Sequence, residues 1–179
     1  GIGVEIFSED KLQLVVPGLD VVIGAVLVKG AKAPKLLTLD LQQKLAEQVH
    51  TSVLQGAKII YQQTEIPSTG YFFPPTLLGN ISATNIASTE EFFGPVLSLY
   101  SYKNEEELIT IANQTPFGLG ASIFGKDLVR AKRISKQIDA GMVYLNQMVK
   151  SDVRIPFGGI KNSGFGRELG PEGLLAFCQ

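Results

Sequence analysis

The sequence predicts an α/β fold, a mainly parallel sheet with flanking helices, over a single domain of 179 residues. Two observations carry that expectation. Short apolar runs rich in β-branched residues alternate along the chain with stretches whose apolar residues recur at helical spacing. Helix-capping residues, Asp40, Asn104 and Asp127, stand at the entry to those helical stretches. Hydrophobic residues make up 45% of the chain and charged residues 18%, enough apolar material to close a core.

Residues 21–28 (VVIGAVLV) read as the first strand, because a continuous apolar run suits a strand covered on both faces. Residues 30–34 make a loop. Asp40 caps the first helix, with Gln43 at the reciprocal place of a capping box. Leu41, Leu45, Val49 and Val53 form its buried stripe, and Gly56 ends it in a left-handed cap. Residues 57–61 are the next strand, and 62–71, with Pro67 and Gly70, a loop. Residues 71–78 are apolar, but Pro74 and Pro75 cannot donate to a ladder, so this segment reads as an extended edge or a loop. Residues 96–102 alternate as a strand. Asn104 caps the following helix, with Glu107 at the box position and Glu105 and Glu106 favoured by the positive helix start. Leu108, Ile111 and Ala112 face inward there, and Thr115-Pro116 stops the helix. Residues 120–124 are a short strand. Asp127 caps a helix that turns Leu128, Ala131, Ile134 and Ile138 inward and Arg130, Lys132, Arg133 and Lys136 outward. Gly141 ends it, and residues 142–145 are another strand. Residues 146–170 form a long glycine-rich segment, of the kind that is functional or built to touch another part of a protein. Residues 171–177 read as a short helix.

Composition excludes several classes. A formal net charge of −1 gives no reason to expect nucleic acid or an anionic membrane as partner. The longest apolar run is too short to span a bilayer, and residues 1–10 lack the basic-then-apolar order of a signal peptide. One cysteine, Cys178, excludes an intrachain disulfide and fits a reducing, cytoplasmic setting. His50 and Cys178 cannot build a zinc site without carboxylates, so no metal is expected.

The glycines Gly158, Gly159, Gly164 and Gly166 invite a phosphate-loop reading, which fails on spacing. GFGREL puts Leu169 where a dinucleotide fingerprint needs its third glycine, and Gly1-Ile-Gly3 puts Ile6 there. Close backbone approach is the better account of these glycines. Cys178 has no histidine beside it in sequence and reads as an incidental thiol. His50 lies one step from the apolar stripe, as a surface or boundary histidine, and the basic residues 126–136 read as a solvated helix face.

Five segments occur in one order: QGAKIIY, GYFFPPTLL, EEFFGPVLSLYSYKNEEELITIANQTPFGLGASIF, AGMVYLNQ and SDVRIPFGGIKNSGFGRELG. Together they resemble the C-terminal part of aldehyde dehydrogenases from about residue 39 onward. VKSDVRIPFGGIKNSGFGREL is most similar to the succinate-semialdehyde dehydrogenase-like branch. Residues 20–38 (DVVIGAVLVKGAKAPKLLT) instead resemble a strand and loop in the nucleotide-binding domain of alanine dehydrogenase, a likeness that covers about residues 4–38. The chain thus reads as a splice of two dehydrogenase segments, joined near residues 38–41.

The resemblance implies a Rossmann-like, incomplete catalytic domain and NAD(P)-dependent oxidation of an aldehyde such as succinate semialdehyde. It also implies NAD or NADP as cofactor. Glu91 and Phe93 match family positions beside the nicotinamide half, where a carboxylate suits ribose hydroxyls and a ring suits nicotinamide. The alternative is that both hold the turn before the strand at 96–102. Asn146 and Phe157 match positions near the substrate pocket, and Ser151 and Arg154 positions that could meet a substrate carboxylate; the alternative is a segment that folds against its own domain. The family's nucleophilic cysteine and general-base glutamate match no residue here, and Cys178 is not that nucleophile. The expected catalytic set is therefore empty, and autonomous activity is not expected. An exposed apolar patch, and with it self-association or a complementing chain, is expected where missing structure would pack. Half of a split dehydrogenase, or a non-catalytic nucleotide-binding or assembly module, are the rival readings.

Overall fold

The computed structural model describes residues 22–23, 39–70 and 72–178. Most of the strand expected at 21–28 and the whole loop at 30–34 lie outside the described residues. The described residues fall into two compact units, one within Ala31–Thr115 and one combining Gly1–Gly30 with Pro116–Gln179.

In the middle unit, helix α1 (Leu39–Leu54) buries Leu45, Gln48, Val49 and Ser52. That face follows i, i+3, i+4, i+7. The expected four-residue stripe drifts from it by about 40° per step, because a turn holds about 3.6 residues. Val53, at the end of that stripe, is accordingly exposed and Leu41 only half-buried. Asp40 is no cap: the helix begins at Leu39, and Asp40 sits within its first turn. Gly56, with φ +98°, ends α1 as expected. Its N–H donates to the Val53 carbonyl and that of Ala57 to Ser52, both pairings of a Schellman cap.

Strand β2 (Lys58–Gln62) pairs antiparallel with β3 (Thr76–Gly79), which pairs parallel with β4 (Val96–Ser98). The expected edge or loop at 71–78 therefore contains the central strand of this sheet. Pro74 and Pro75 precede β3, so neither removes a donor from the ladder. A short helix not expected from the sequence, α2 (Ile86–Thr89), lies between β3 and β4. Asn85 caps it through Oδ1 to the Ala87 N–H and donates from Nδ2 to the Ser52 carbonyl on α1. Beyond β4, Tyr100 donates to the Ala87 carbonyl at 3.1 Å and meets the Ser88 hydroxyl at 3.0 Å; burial pushes its phenol pKa up. Asn104 caps α3 (Glu105–Asn113) by accepting from the Glu107 N–H at 2.9 Å. The Glu107 carboxylate returns to the Lys103 N–H, one residue earlier than in an ideal box.

In the terminal unit, β1 (Val22–Ile23) pairs antiparallel with β6 (Gly120–Ile123), and β6 pairs parallel with β7 (Met142–Leu145). β5 (Phe117–Gly118) pairs antiparallel with β8 (Ile160–Lys161), which lies inside the stretch expected to be an open loop. Among the described residues the sheets are thus small and mixed, not mainly parallel. Parallel neighbours need a crossover. Among the described residues, only β3–β4, which spans α2, and β6–β7, which spans α4 (Leu128–Ser135), have one. Asp127 caps α4 as expected, accepting from the Val129 and Arg130 N–H groups at 3.0 Å. Ala131, Ile134 and Ile138 are buried, but Leu128 is 51% exposed: it is the first helical residue, a turn ahead of the buried face. The last helix among the described residues is α5 (Gly170–Leu175).

Candidate functional site

Glu91 and Phe93 lie on the turn between α2 and β4, and α1 holds that turn from beneath. Gln48, buried on α1, donates from Nε2 to the Glu90 carboxylate at 2.8 Å and to the Glu91 carbonyl at 3.3 Å. Leu45 packs so closely under Gly94 that a Cβ there would lie 2.2 Å from Leu45 Cδ2. The turn is anchored by its backbone and by Glu90, while Glu91 and the Phe93 ring (Phe93 is 55% exposed) face solvent. The turn thus presents a carboxylate and a ring to solvent from a backbone held by α1. Sequence reasoning named the presented pair and missed the buried Gln48, whose signal was a polar residue on the apolar face of α1.

The other four residues follow β7 in the terminal unit. Asn146 sits at the exit of β7 with φ +51°. Its Oδ1 accepts from the Gly125 N–H at 2.7 Å, its Nδ2 donates to the Gly125 carbonyl at 2.9 Å, and its own N–H donates to the Ile123 carbonyl. The side chain therefore closes the ends of β6 and β7, with one lone pair and one N–H of its amide left over. Ser151 is exposed, beside a segment fixed by Tyr144, whose hydroxyl donates to the Lys150 carbonyl at 2.8 Å, and by buried Val149.

Arg154 is engaged. Its Nε and Nη2 donate to Asp152 at 2.8 and 2.6 Å, and its backbone N–H also donates to Asp152. These bonds hold the Asp152 carboxyl well below the usual carboxylate range and raise the Arg154 pKa. A substrate carboxylate at Arg154 would have to compete with this pair or share the guanidinium with it. Phe157 is half-buried, and its backbone exchanges both hydrogen bonds with Glu168, at 2.7 and 2.8 Å.

Close approach accounts for Gly158 and Gly159, where a Cβ would lie 2.6 Å from the Gly166 carbonyl oxygen and 2.7 Å from Ser163 Cβ, but not for Gly164 and Gly166, which have open space around them and sit at φ +121° and +79°. A Cβ on Gly141, at the entry to β7, would lie 1.9 Å from the Gly158 carbonyl oxygen, and Arg167 bridges the Gly159 and Gly166 carbonyls. A cleft of about 420 Å³ opens along β7, lined by Tyr144, Ile155, Arg167 and Glu172 among others. Another, of about 440 Å³ and largely apolar, lies in the middle unit against Val49, His50, Ile59 and Phe72. Neither is lined by any of the six residues. Cys178 is exposed, and its thiol reaches the Leu174 carbonyl at 3.5 Å. Among the described residues no cluster of His, Cys, Asp and Glu could hold a metal, and no helix is long and apolar enough to cross a membrane.

Residues 34–179 match the aldehyde dehydrogenase family along their whole length. The chain belongs to the aldehyde dehydrogenase family. Residues 2–58 also match the C-terminal domain of alanine dehydrogenase/PNT, so the two likenesses overlap at 34–58, where the sequence places the splice. The aldehyde dehydrogenase portion is 39% identical over 139 residues to succinate semialdehyde dehydrogenase [NAD(P)+] Sad of Escherichia coli, covering 78% of this chain and 30% of that protein. Its fold matches succinic semialdehyde dehydrogenase of Streptococcus pyogenes in complex with NADP+, with TM-score 0.74 and 34% identity over 78% of this chain and 31% of the other. It also matches betaine aldehyde dehydrogenase of Staphylococcus aureus in complex with NAD+, with TM-score 0.73 and 31% identity over 78% of this chain and 28% of the other. This chain thus spans about three-tenths of the length of these aldehyde dehydrogenases.

Proposed function

We propose that this chain supplies the cofactor-facing and substrate-facing walls of an NAD(P)-dependent aldehyde dehydrogenase of the succinate-semialdehyde type, and has no turnover by itself. One observation carries the reading. A family whose reaction needs a thiolate is matched over residues 34–179, and the only cysteine in the sequence, Cys178, is an exposed thiol beside a backbone carbonyl. The reaction requires a thiolate to attack the aldehyde, a dinucleotide to accept hydride and a base to activate water. Glu91 and Phe93 fit the ribose and nicotinamide of that dinucleotide, which when bound supplies the hydride acceptor. Asn146, Ser151, Arg154 and Phe157 belong to the substrate side by the same resemblance. The thiolate, the base and the remaining cofactor contacts come from further polypeptide, which makes the chain one half of a split active site.

The test is a steady-state assay of the purified chain with succinate semialdehyde and either NAD+ or NADP+, followed by NAD(P)H absorbance. No rate above the chain-free control is expected; turnover that persists through repurification would overturn the reading. The match of residues 2–58 to alanine dehydrogenase/PNT favours a second reading, a nucleotide-binding module. Calorimetry with NAD+ and NADP+ separates the two, since the module must bind a dinucleotide unaided and the half-site must not bind it tightly.

A further inference from the structure

We propose that Gln48 and Glu90 are positioning residues for the dinucleotide site, a pair that holds the turn after α2 in the arrangement that presents Glu91 and the Phe93 ring together. The inference rests on the half-site reading above. Two carboxylates stand side by side on this turn, and α1 treats them differently. Nε2 of Gln48 bonds Glu90 through its carboxylate, at 2.8 Å, and Glu91 through its carbonyl, at 3.3 Å. A primary amide nitrogen carries two hydrogens, so the two bonds use both. Gln48 is 7% exposed, and a polar side chain so deeply buried is costly unless it is bonded. With the Glu90 carboxylate drawn toward α1 and the Glu91 carbonyl held, the Glu91 carboxylate is left to face solvent.

The segments on either side of the turn are fixed independently. The Ser52 carbonyl of α1 accepts from Asn85 Nδ2 at 2.9 Å, and Oε1 of Gln55, just past α1, accepts from the Ile86 N–H at 2.8 Å; together they tie the start of α2 to α1. The Glu90 N–H closes α2 by donating to the Ile86 carbonyl at 2.8 Å. Beyond the turn, the Thr76 N–H donates to the Pro95 carbonyl at 2.9 Å, and β4 joins β3. Residues 90–94 cross between these two fixed points. There Leu45 supplies contact, under Gly94, and Gln48 supplies direction. Apolar contact is non-directional and a hydrogen bond is not, so the amide decides which of the two carboxylates is turned out. Its bond to Glu90 is charge-assisted, hence stronger than one between neutral groups. Such a hold matters to the proposed reaction, because a small misplacement of reacting groups costs rate steeply.

Four full-length chains test the pair: the parent, Gln48→Met, Gln48→Glu and Gln48→Glu/Glu90→Gln. Methionine keeps the volume and removes both donors. Gln48→Glu removes them too and sets a second carboxylate against Glu90. In the double variant amide and carboxylate change places, so the side-chain bond is remade. NMR relaxation of the Glu91, Phe92 and Phe93 amides needs no partner chain. Order parameters of about 0.85 are expected for the parent, below about 0.6 for Gln48→Met and Gln48→Glu, and a return toward the parent in the double variant. Hydrogen exchange at β3 reports whether each chain keeps its sheet; if Gln48→Glu does not, Gln48→Met and the double variant decide. The chains are then mixed with the part of the Escherichia coli relative that this chain does not match. There the KM for NADP+ is expected to rise at least about tenfold for both single variants and to recover to within about threefold in the double, while the KM for succinate semialdehyde moves by less than about threefold. A merely structural loss would lower Vmax and leave both KM values level. Unchanged order parameters, no recovery in the double variant, or a level KM for NADP+ overturns the proposal. No rate from the parent mixture would remove the half-site reading, and the relaxation pattern alone would then decide whether Gln48 and Glu90 hold the turn.

Discussion

Asn146 shows how one side chain serves the fold at a position that the resemblance gives to substrate. Both ends of its amide are bonded to Gly125 while its backbone sits at φ +51°, a conformation asparagine tolerates better than alanine. Asn146→Ala loses the amide bonds and keeps the unfavourable φ, so it should cost about 2–3 kcal/mol in urea unfolding. Asn146→Gly loses the same bonds but relieves the backbone, and should cost measurably less. Equal losses would mean that φ contributes nothing. Asp152 makes a pH-dependent claim. Its carboxyl pKa is depressed in the fold, chiefly by side-chain hydrogen bonds from Arg154. The ionised form is the one favoured, so the pair's contribution is complete above the ordinary value of 3.8 and disappears only as pH falls through the lower folded value. A carboxyl-carbon NMR titration should place the Asp152 midpoint below that of unpaired aspartates; a midpoint among theirs would refute the pairing. The sequence SDVR contained this pair, but a reading that looked outward from Arg154 to a substrate passed over the carboxylate two residues before it.

At the scale of elements, what was legible depended on how local its cause is. The Gly56 stop, the Asn104 and Asp127 caps and β7 follow from side chains acting within a turn or so of themselves, and they stand where the sequence puts them. β3 and the β5–β8 pair depend on distant partners, and no local pattern announces them. Pro74 and Pro75 obscured β3 by making its approach look like an edge. The drift of the α1 stripe is a matter of helical pitch and could have been corrected from the sequence alone. Gly141 joins two elements in a way that composition cannot show, since the Gly158 backbone occupies the space a side chain would need. Neither backbone can yield without disturbing β7 or the 157–168 bridge. Gly141→Ala should therefore cost about 3 kcal/mol or more, near the upper range for overpacking. Gly125→Ala, with open space around its Cβ and no positive φ, is the control and should cost under about 1 kcal/mol. Comparable losses in thermal unfolding would contradict the close approach.

Over the whole molecule, the sequence motifs report membership of the aldehyde dehydrogenase family, and the structure matches a portion of that fold. Ile59, Ile60 and Tyr61 on β2 and Phe72 on the loop before β3 are exposed apolar residues, the kind of surface that the proposed half-site reading has further polypeptide cover. The six residues singled out by the resemblance fall in both units. A turn backed by Gln48 presents Glu91 and Phe93, and the segment after β7 carries Asn146, Ser151, Arg154 and Phe157, yet none of the 179 residues supplies a suitably placed thiolate. The most direct test mixes this chain with the unmatched part of the Escherichia coli relative and measures NAD(P)H formation from succinate semialdehyde. The account predicts no rate from either polypeptide alone, a rate on mixing, and a fall in that rate of about tenfold or more for Glu91→Gln or Phe93→Ala, as expected when contacts to the reacting cofactor are removed. A rate from this chain alone, or none from a mixture in which the two polypeptides are shown to bind, would contradict it.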